Sequence, residues 1–158
     1  MLKQIAIIGS ADRVSSEVEQ MAEELGQEIA RSGAVLISGG RKGVMEASCR
    51  GAKKENGLVV GILPKTRDQA NQFVDICIVT GMGDARNVLN VNSADIIISV
   101  CGGAGTLSEI ALALKANKKV VSMRRSGGVS RMLAGKAIDG RAVISADNVK
   151  EALRIALE

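Results

Sequence analysis

Short runs of β-branched and aliphatic residues alternate along this chain with longer stretches in which apolar residues recur every three or four positions. The runs are Ile5–Ile8, Val35–Ile37, Leu58–Leu63, Ile76–Val79, Ile96–Val100, Val120–Met123 and Ala142–Ile144. Each predicts a strand. Ile96–Val100 does not alternate with polar residues, so it predicts a strand buried on both faces. Pro64, the only proline, follows the third run and stops it, because proline has no N–H to give to a sheet.

The intervening stretches read as helices. Ser15-Ser16 caps one that runs to about Arg31, with Val18, Met21, Ala22, Leu25 and Ile29 on one face and Gly33 at its end. Val44, Ala47 and Gly51 share a face of a second, ending near Asn56-Gly57. Further helices are expected over Asp84–Asn92 and Thr106–Asn117, a short one after Ser130, and a last one capped by Asp147 with Val149, Ala152, Leu153 and Ala156 facing the core. The polar stretch 65–75 reads as a loop. Strands alternating with helices mean βαβ units and a parallel sheet covered on both faces. The expectation is an α/β, doubly wound, Rossmann-like sheet of about seven strands. No composition shift or low-complexity segment divides residues 1–158, so one domain is expected.

Composition narrows the chemistry. The chain has 158 residues, 46% apolar, and Phe73 is its only aromatic. The core must be aliphatic, and the stacking platforms of single-strand nucleic-acid modules are absent. The net charge of +4 is spread over pairs such as Arg41-Lys42, Lys53-Lys54, Lys118-Lys119 and Arg124-Arg125, with no long basic run. Arg41-Lys42 and Arg124-Arg125 adjoin glycines, where anion binding competes with a plain solvated surface. There is no histidine, which removes Ser-His-Asp and Cys-His catalysis and any His-ligated metal. Cys49, Cys77 and Cys101 are scattered and odd in number, so no metal site is expected and a reduced, cytoplasmic setting fits. No apolar stretch approaches the ~20 residues of a membrane span, and the first run is too short for a signal-peptide core. Neither nucleic acid nor membrane is expected as a partner.

Two glycine loops carry the functional reading. Gly39-Gly40 follows the second strand and Gly102-Gly103 the fifth, while Gly9-Ser10 follows the first. ISGGRKGVMEAS and SVCGGAGTLSEI echo one another: strand, Gly-Gly, helix start, glutamate. A helix that begins beside such a turn presents free N–H groups and its positive dipole end, which suit a phosphate. In open parallel sheets, ligands bind outside the carboxyl ends of the strands, where all three loops fall. Neither loop is a P-loop or a G-x-G-x-x-G fingerprint. Read singly, each glycine pair also serves as a mere tight turn.

Glu109 is the main catalytic candidate. Thr106-Leu107-Ser108-Glu109 is equally a capping box, with Glu109 bonded back to the Thr106 backbone. Arg86, in GMGDARN, is the second candidate, against a plain surface arginine near Asp84. Cys101 reads better as a small packed residue than as a nucleophile, and Met45, Met82 and Met123 as core or pocket wall.

SGGRKGVMEASCRGA, ARNVLNVNSADIIISVCGGAGTLSEIALAL and the following KKVV together resemble the LOG-like superfamily, whose members were long called "lysine decarboxylase-like". The resemblance runs from Ile5 to about Gly135 and is closest to the branch that contains the molybdenum cofactor carrier protein. It implies a homodimer and a ligand-binding set of Gly9, Ser10, Gly39, Gly40, Arg41, Gly43, Val44, Met45, Arg86, Gly102, Gly103, Gly105 and Thr106. In LOG enzymes, the motif glutamate and an arginine split a nucleoside 5′-monophosphate into base and ribose 5-phosphate; by position these would be Glu109 and Arg86. A carboxylate suits that reaction, because glycosidic cleavage develops an oxocarbenium-like cation. The family's motif proline is Cys101 here, and the lysine after the arginine is Asn87, departures that fit the carrier branch better.

The leading expectation is a binding protein for a phosphate-bearing, nucleotide-like or pterin ligand, with molybdenum cofactor or a nucleotide as the bound molecule and no other cofactor required. The rival is a phosphoribohydrolase using Glu109 and Arg86. A third is a structural or interaction domain with a closed or apolar pocket. No Schiff-base lysine with pyridoxal-phosphate anchors supports lysine decarboxylation.

Overall fold

The computed structural model describes all 158 residues. The chain alternates β1 (Gln4–Gly9), α1 (Ser16–Arg31), β2 (Val35–Ser38), α2 (Val44–Lys54), β3 (Val59–Leu63), β4 (Ile76–Val79), α3 (Asn87–Ser93), β5 (Ile96–Val100), α4 (Ala104–Lys115), β6 (Lys119–Met123), α5 (Gly128–Leu133), β7 (Ala137–Ile138), β8 (Arg141–Ala146) and α6 (Val149–Leu157). The sheet has eight strands in the order β4-β3-β2-β1-β5-β6-β8-β7. Every pairing is parallel except β7 with β8. The seven expected strands all form. The eighth, β7, is two residues long and antiparallel, too short for a pattern to reveal.

The helices divide between the two faces of the sheet. On one face, Val18, Leu25 and Ile29 of α1, Val44 and Ala47 of α2 and Val149 and Leu153 of α6 pack on Ile5, Ile7, Leu36 and Ile98. On the other, Val91 of α3, Ile110 and Leu114 of α4 and Leu133 of α5 pack on Ala6, Ile8, Ile37 and Ile97. Successive strand residues point to opposite faces, so β1 and β5 serve both cores, and β5 is buried throughout as its unbroken apolar run predicts.

Helix boundaries move in three places, each for a local reason. α4 begins at Ala104 with Gly103 as N-cap and no side-chain cap, two residues earlier than the Thr106 expected from the capping-box pattern. Gly83–Arg86 forms a 3-10 turn before α3, so the expected helix from Asp84 starts as a tighter coil. Asn148, not Asp147, caps α6: its Oδ1 accepts from Glu151 N at 2.9 Å, while Asp147 is engaged by Arg124 at 2.8 and 2.7 Å. α1 matches the pattern, with Ser15 as N-cap and Gly33 at φ +75° beyond its end. No helix is long and apolar enough to cross a membrane.

The strand order places the functional edge. From β1 the chain winds outward to β2, β3 and β4, then returns to β5 on the other side of β1 and continues to β6 and β8. The winding reverses between β1 and β5, which opens a crevice at their carboxyl ends.

Candidate functional site

The loop after β1 and the starts of α2 and α4 converge on that crevice. The cleft holds about 250 Å³ and is lined by Gly9, Ser10, Ala11 and Asp12 after β1, by Gly39, Arg41 and Met45, by Asp84, Arg86, Asn87 and Asn90, and by Gly103–Thr106 and Glu109. Neither α2 nor α4 has a side-chain N-cap: Gly43 and Gly103 hold those positions. At α4 the first-turn N–H groups are thus left without side-chain partners, whereas at α2 Val44 N donates to Ser10 O at 2.9 Å.

The loops are held from behind. Cys101 adopts φ +54° and Gly102 φ +85°. Cys101 N donates to Ser126 Oγ at 2.7 Å, and Cys101 O accepts from Ser130 N and Ser130 Oγ at 3.0 and 2.9 Å. Val129 N donates to Gly102 O at 2.9 Å. The start of α5 therefore engages the carbonyls of this turn. A Cβ at Gly102 would overlap Thr106, which requires glycine there independently of its φ.

Arg86 is 7% exposed. Its Nη1 donates to Ile62 O at 2.9 Å, so β3 anchors one corner of the guanidinium. The guanidinium lies against Gly39, where any Cβ would collide with it and with the Met45 sulfur. Burial holds its pKa below the ordinary arginine value and nearby Arg41 adds to the effect, while Glu109 and Asp84 oppose it. An arginine remains charged under these conditions, so a cation is held at the cleft with no carboxylate bonded to it.

Glu109 is also 7% exposed. Because α4 starts at Ala104, Thr106 is the third helical residue and Glu109 the sixth, out of reach of the helix start. The capping-box reading is therefore wrong. Glu109 Oε1 instead accepts from Asn90 Nδ2 of α3 at 2.9 Å. Burial raises its pKa above the usual glutamate value, against the smaller pull of Asn90 and Arg86 in the other direction. A carboxyl in that state suits proton transfer or the stabilisation of positive charge.

Of the residues expected at the site, Gly9, Ser10, Gly39, Arg41, Met45, Arg86, Gly103, Gly105, Thr106 and Glu109 line the cleft. Gly40, Gly43, Val44 and Gly102 do not; they shape the turns behind it. A Cβ at Gly40 would press on Leu63, one at Gly43 would overlap the Ser10 carbonyl, and Val44 is fully buried in the core. Cys101 is half-buried and outside the lining. Sequence reasoning missed Asp12, Asn87, Ala104 and above all Asn90. The available signal was spacing: Asn90 follows Arg86 by four residues, one helical turn, and is polar next to core-facing Val91.

Comparison with known proteins agrees with this geometry. The model of the SLOG cluster4 family matches residues 2–153. The structure resembles that of the molybdenum cofactor binding protein from the phototrophic bacterium Rippkaea orientalis, with a TM-score of 0.89 and 39% identity over 99% of this chain and 96% of that one. It also resembles the molybdenum cofactor carrier protein from Chlamydomonas reinhardtii, with a TM-score of 0.86 and 35% identity over 98% and 96% of the two chains. In sequence, 110 residues are 32% identical to a cytokinin riboside 5′-monophosphate phosphoribohydrolase from Mycobacterium tuberculosis, covering 67% of this chain and 59% of the enzyme.

Proposed function

The chain belongs to the SLOG cluster4 family, and from that premise we propose that it binds a phosphate-bearing, nucleotide-like or pterin ligand in the cleft, in the manner of a molybdenum cofactor carrier. The observation that carries this reading is the convergence of two helix starts without side-chain caps, α2 and α4, on one cleft that also holds Arg41 and Arg86. Two dipole ends and two guanidinium groups favour a dianionic phosphate over a neutral ligand. The donors are backbone N–H and guanidinium groups, so the fit is to the phosphate end of such a ligand. Groups of three or more His, Cys, Asp or Glu placed to hold a metal are absent from the structure. The test is calorimetric titration with nucleoside monophosphates and with a molybdopterin-type cofactor. Binding of either at micromolar concentrations is expected; binding of neither in the high micromolar range sinks the proposal.

A second reading has its own support. Glu109 is buried, raised in pKa and not occupied as a helix cap, which suits a phosphoribohydrolase acting on a nucleoside 5′-monophosphate with Glu109 and Arg86 as catalytic residues. It predicts release of free base from a panel of monophosphates and loss of that release in Glu109→Ala. No turnover across the panel removes it and leaves the binding role.

The same proposal extends to a homodimer in the cytoplasm. Residues 87–114 carry only two charged side chains, Asp95 and Glu109, and the outer side of α3 and α4 exposes Val88 and Leu107. Such a face allows two copies of a chain with net charge +4 to meet without opposing like charges. Light scattering behind gel filtration should report twice the mass of 16.4 kDa.

A further inference from the structure

Buried polar side chains in this protein are almost all satisfied internally. Ser38 accepts from Gly40 N, Ser99 pairs with Ser122, and Ser126 and Ser130 hold Cys101. Asn90 differs. It is 2% exposed, it gives Nδ2 to Glu109, and its Oδ1 is the one buried side-chain polar atom with no partner. Asn90 also lies in the wall of the cleft. An amide oxygen left without a donor is costly in a folded protein, and the residue that carries this one borders the cleft.

The geometry says which part of a ligand would supply it. Glu109 lies five residues beyond Ala104, about 7.5 Å further along the axis of α4 than its first residue. A phosphate seated at that start therefore places the next portion of the ligand beside the Asn90–Glu109 pair. With Glu109 ionised, Nδ2 donates to its Oε1 and Oδ1 is the acceptor that remains. Glu109 lines the same cleft, so the pair suits a group with adjacent donors.

We infer that Asn90 is a specificity-determining residue whose Oδ1 accepts a hydrogen bond from a donor-bearing group adjoining the ligand's phosphate. The inference rests on the phosphate reading of the cleft. Two portions of a nucleotide-like or pterin ligand carry the required chemistry: the hydroxyls of a sugar, and the amino and ring N–H edge of a guanine-type or pterin ring. Either is selected at this position over a ligand that offers only acceptors there.

The experiment is calorimetric titration of the full chain with inorganic phosphate, GMP, IMP and 2′-deoxy-GMP, repeated with Asn90→Leu and Asn90→Ala. IMP lacks the ring amino group, and 2′-deoxy-GMP lacks a sugar hydroxyl. The native protein should bind GMP about tenfold more tightly than one of these two analogues, the size expected when a buried acceptor loses its donor. Which analogue weakens identifies the group that is read. In the Asn90 variants that difference should vanish, while inorganic phosphate still binds. Equal affinity of the native protein for all three nucleotides overturns the inference, as does a difference that persists in either folded variant. Phosphate binding with no gain from any nucleotide also overturns it and leaves the cradle standing. If neither phosphate nor nucleotide binds, the phosphate reading falls as well.

Discussion

The loop after β2 and the loop after β5 share a strand, a glycine pair, a helix start and a glutamate soon after, yet the two glutamates end in different surroundings. Three residues, Arg41-Lys42-Gly43, separate Gly40 from α2, so Glu46 falls in the first turn of that helix, half-buried beside Arg41 and Lys42 in hollows next to the cleft. α4 starts directly after Gly103, so Glu109 falls in the second turn, buried against Asn90. A first-turn glutamate is stabilised by the helix dipole and by water. A second-turn glutamate on the inner face loses water and gains only an amide. The glycines differ too: Gly39 leaves room for a guanidinium, whereas Gly102 leaves room for the Thr106 of its own helix. What separates a half-buried carboxylate from a buried one is the distance between turn and helix start, together with the neighbour that the next helix supplies.

The sharpest way to break this comparison is at the glycines. Gly102→Ala must hold φ +85° and overlap Thr106, neither of which a neighbouring side-chain tip can relieve. It should cost about 2–3 kcal/mol, a fall in Tm of about 5–10 °C by scanning calorimetry. Gly39→Ala meets only the ends of Arg86 and Met45, which can move. Its cost in stability should stay near 1 kcal/mol, but with Arg86 displaced, the affinity for inorganic phosphate should fall about tenfold. Equal losses of Tm in the two variants would erase the contrast between the loops.

Glu109 and Glu23 respond to pH with opposite signs. Glu109 has a folded pKa above its ordinary value, so the folded state binds the proton more tightly than the unfolded chain. Its contribution to stability is full below the ordinary glutamate pKa of 4.5 and is lost as pH rises through the raised folded value. Glu109→Gln should therefore raise Tm by a few degrees at neutral pH and flatten the decline above pH 5. Glu23 acts the other way: hydrogen bonds from Lys54 and Arg50 hold its pKa down, so its contribution fades as pH falls. The smallest change expected is Gly103→Ala, where an added Cβ meets nothing within 4 Å. It should leave Tm unchanged, and any weakening of phosphate binding would then report close approach of the ligand to that backbone.

Most of the framework was legible in the sequence because buried strands and amphipathic helices impose short periods on the residues that form them. Ile96–Val100 announced its position at the centre of the sheet by lacking polar residues. The order of strands was not legible, since Ile5 pairs with both Leu36 and Ile96 and nothing local distinguishes those partners from other aliphatic runs. At the site, the turns were legible through their glycines, and Arg86 and Glu109 through their neighbours. Thr106 misled because a T-x-x-E pattern is a statement about a helix start, and Gly103 had already started the helix. Asn90 was hidden because its importance depends on a bond to another helix and on a bond it does not make.

The position of β1 between β2 and β5 has a thermodynamic consequence. The cleft is assembled from segments near residues 10, 40, 85 and 105, so it exists only when both windings of the sheet are docked on β1. A molecule held there binds the folded state and none of its parts, and mass action then adds its binding free energy to the cooperativity of the whole sheet. At a hundredfold excess over Kd that addition is about 2.7 kcal/mol, comparable with the effect expected from the most damaging glycine substitution. Melting temperature is thus a general reporter for this cleft: any molecule that fits should raise the melting temperature of the entire protein as one unit.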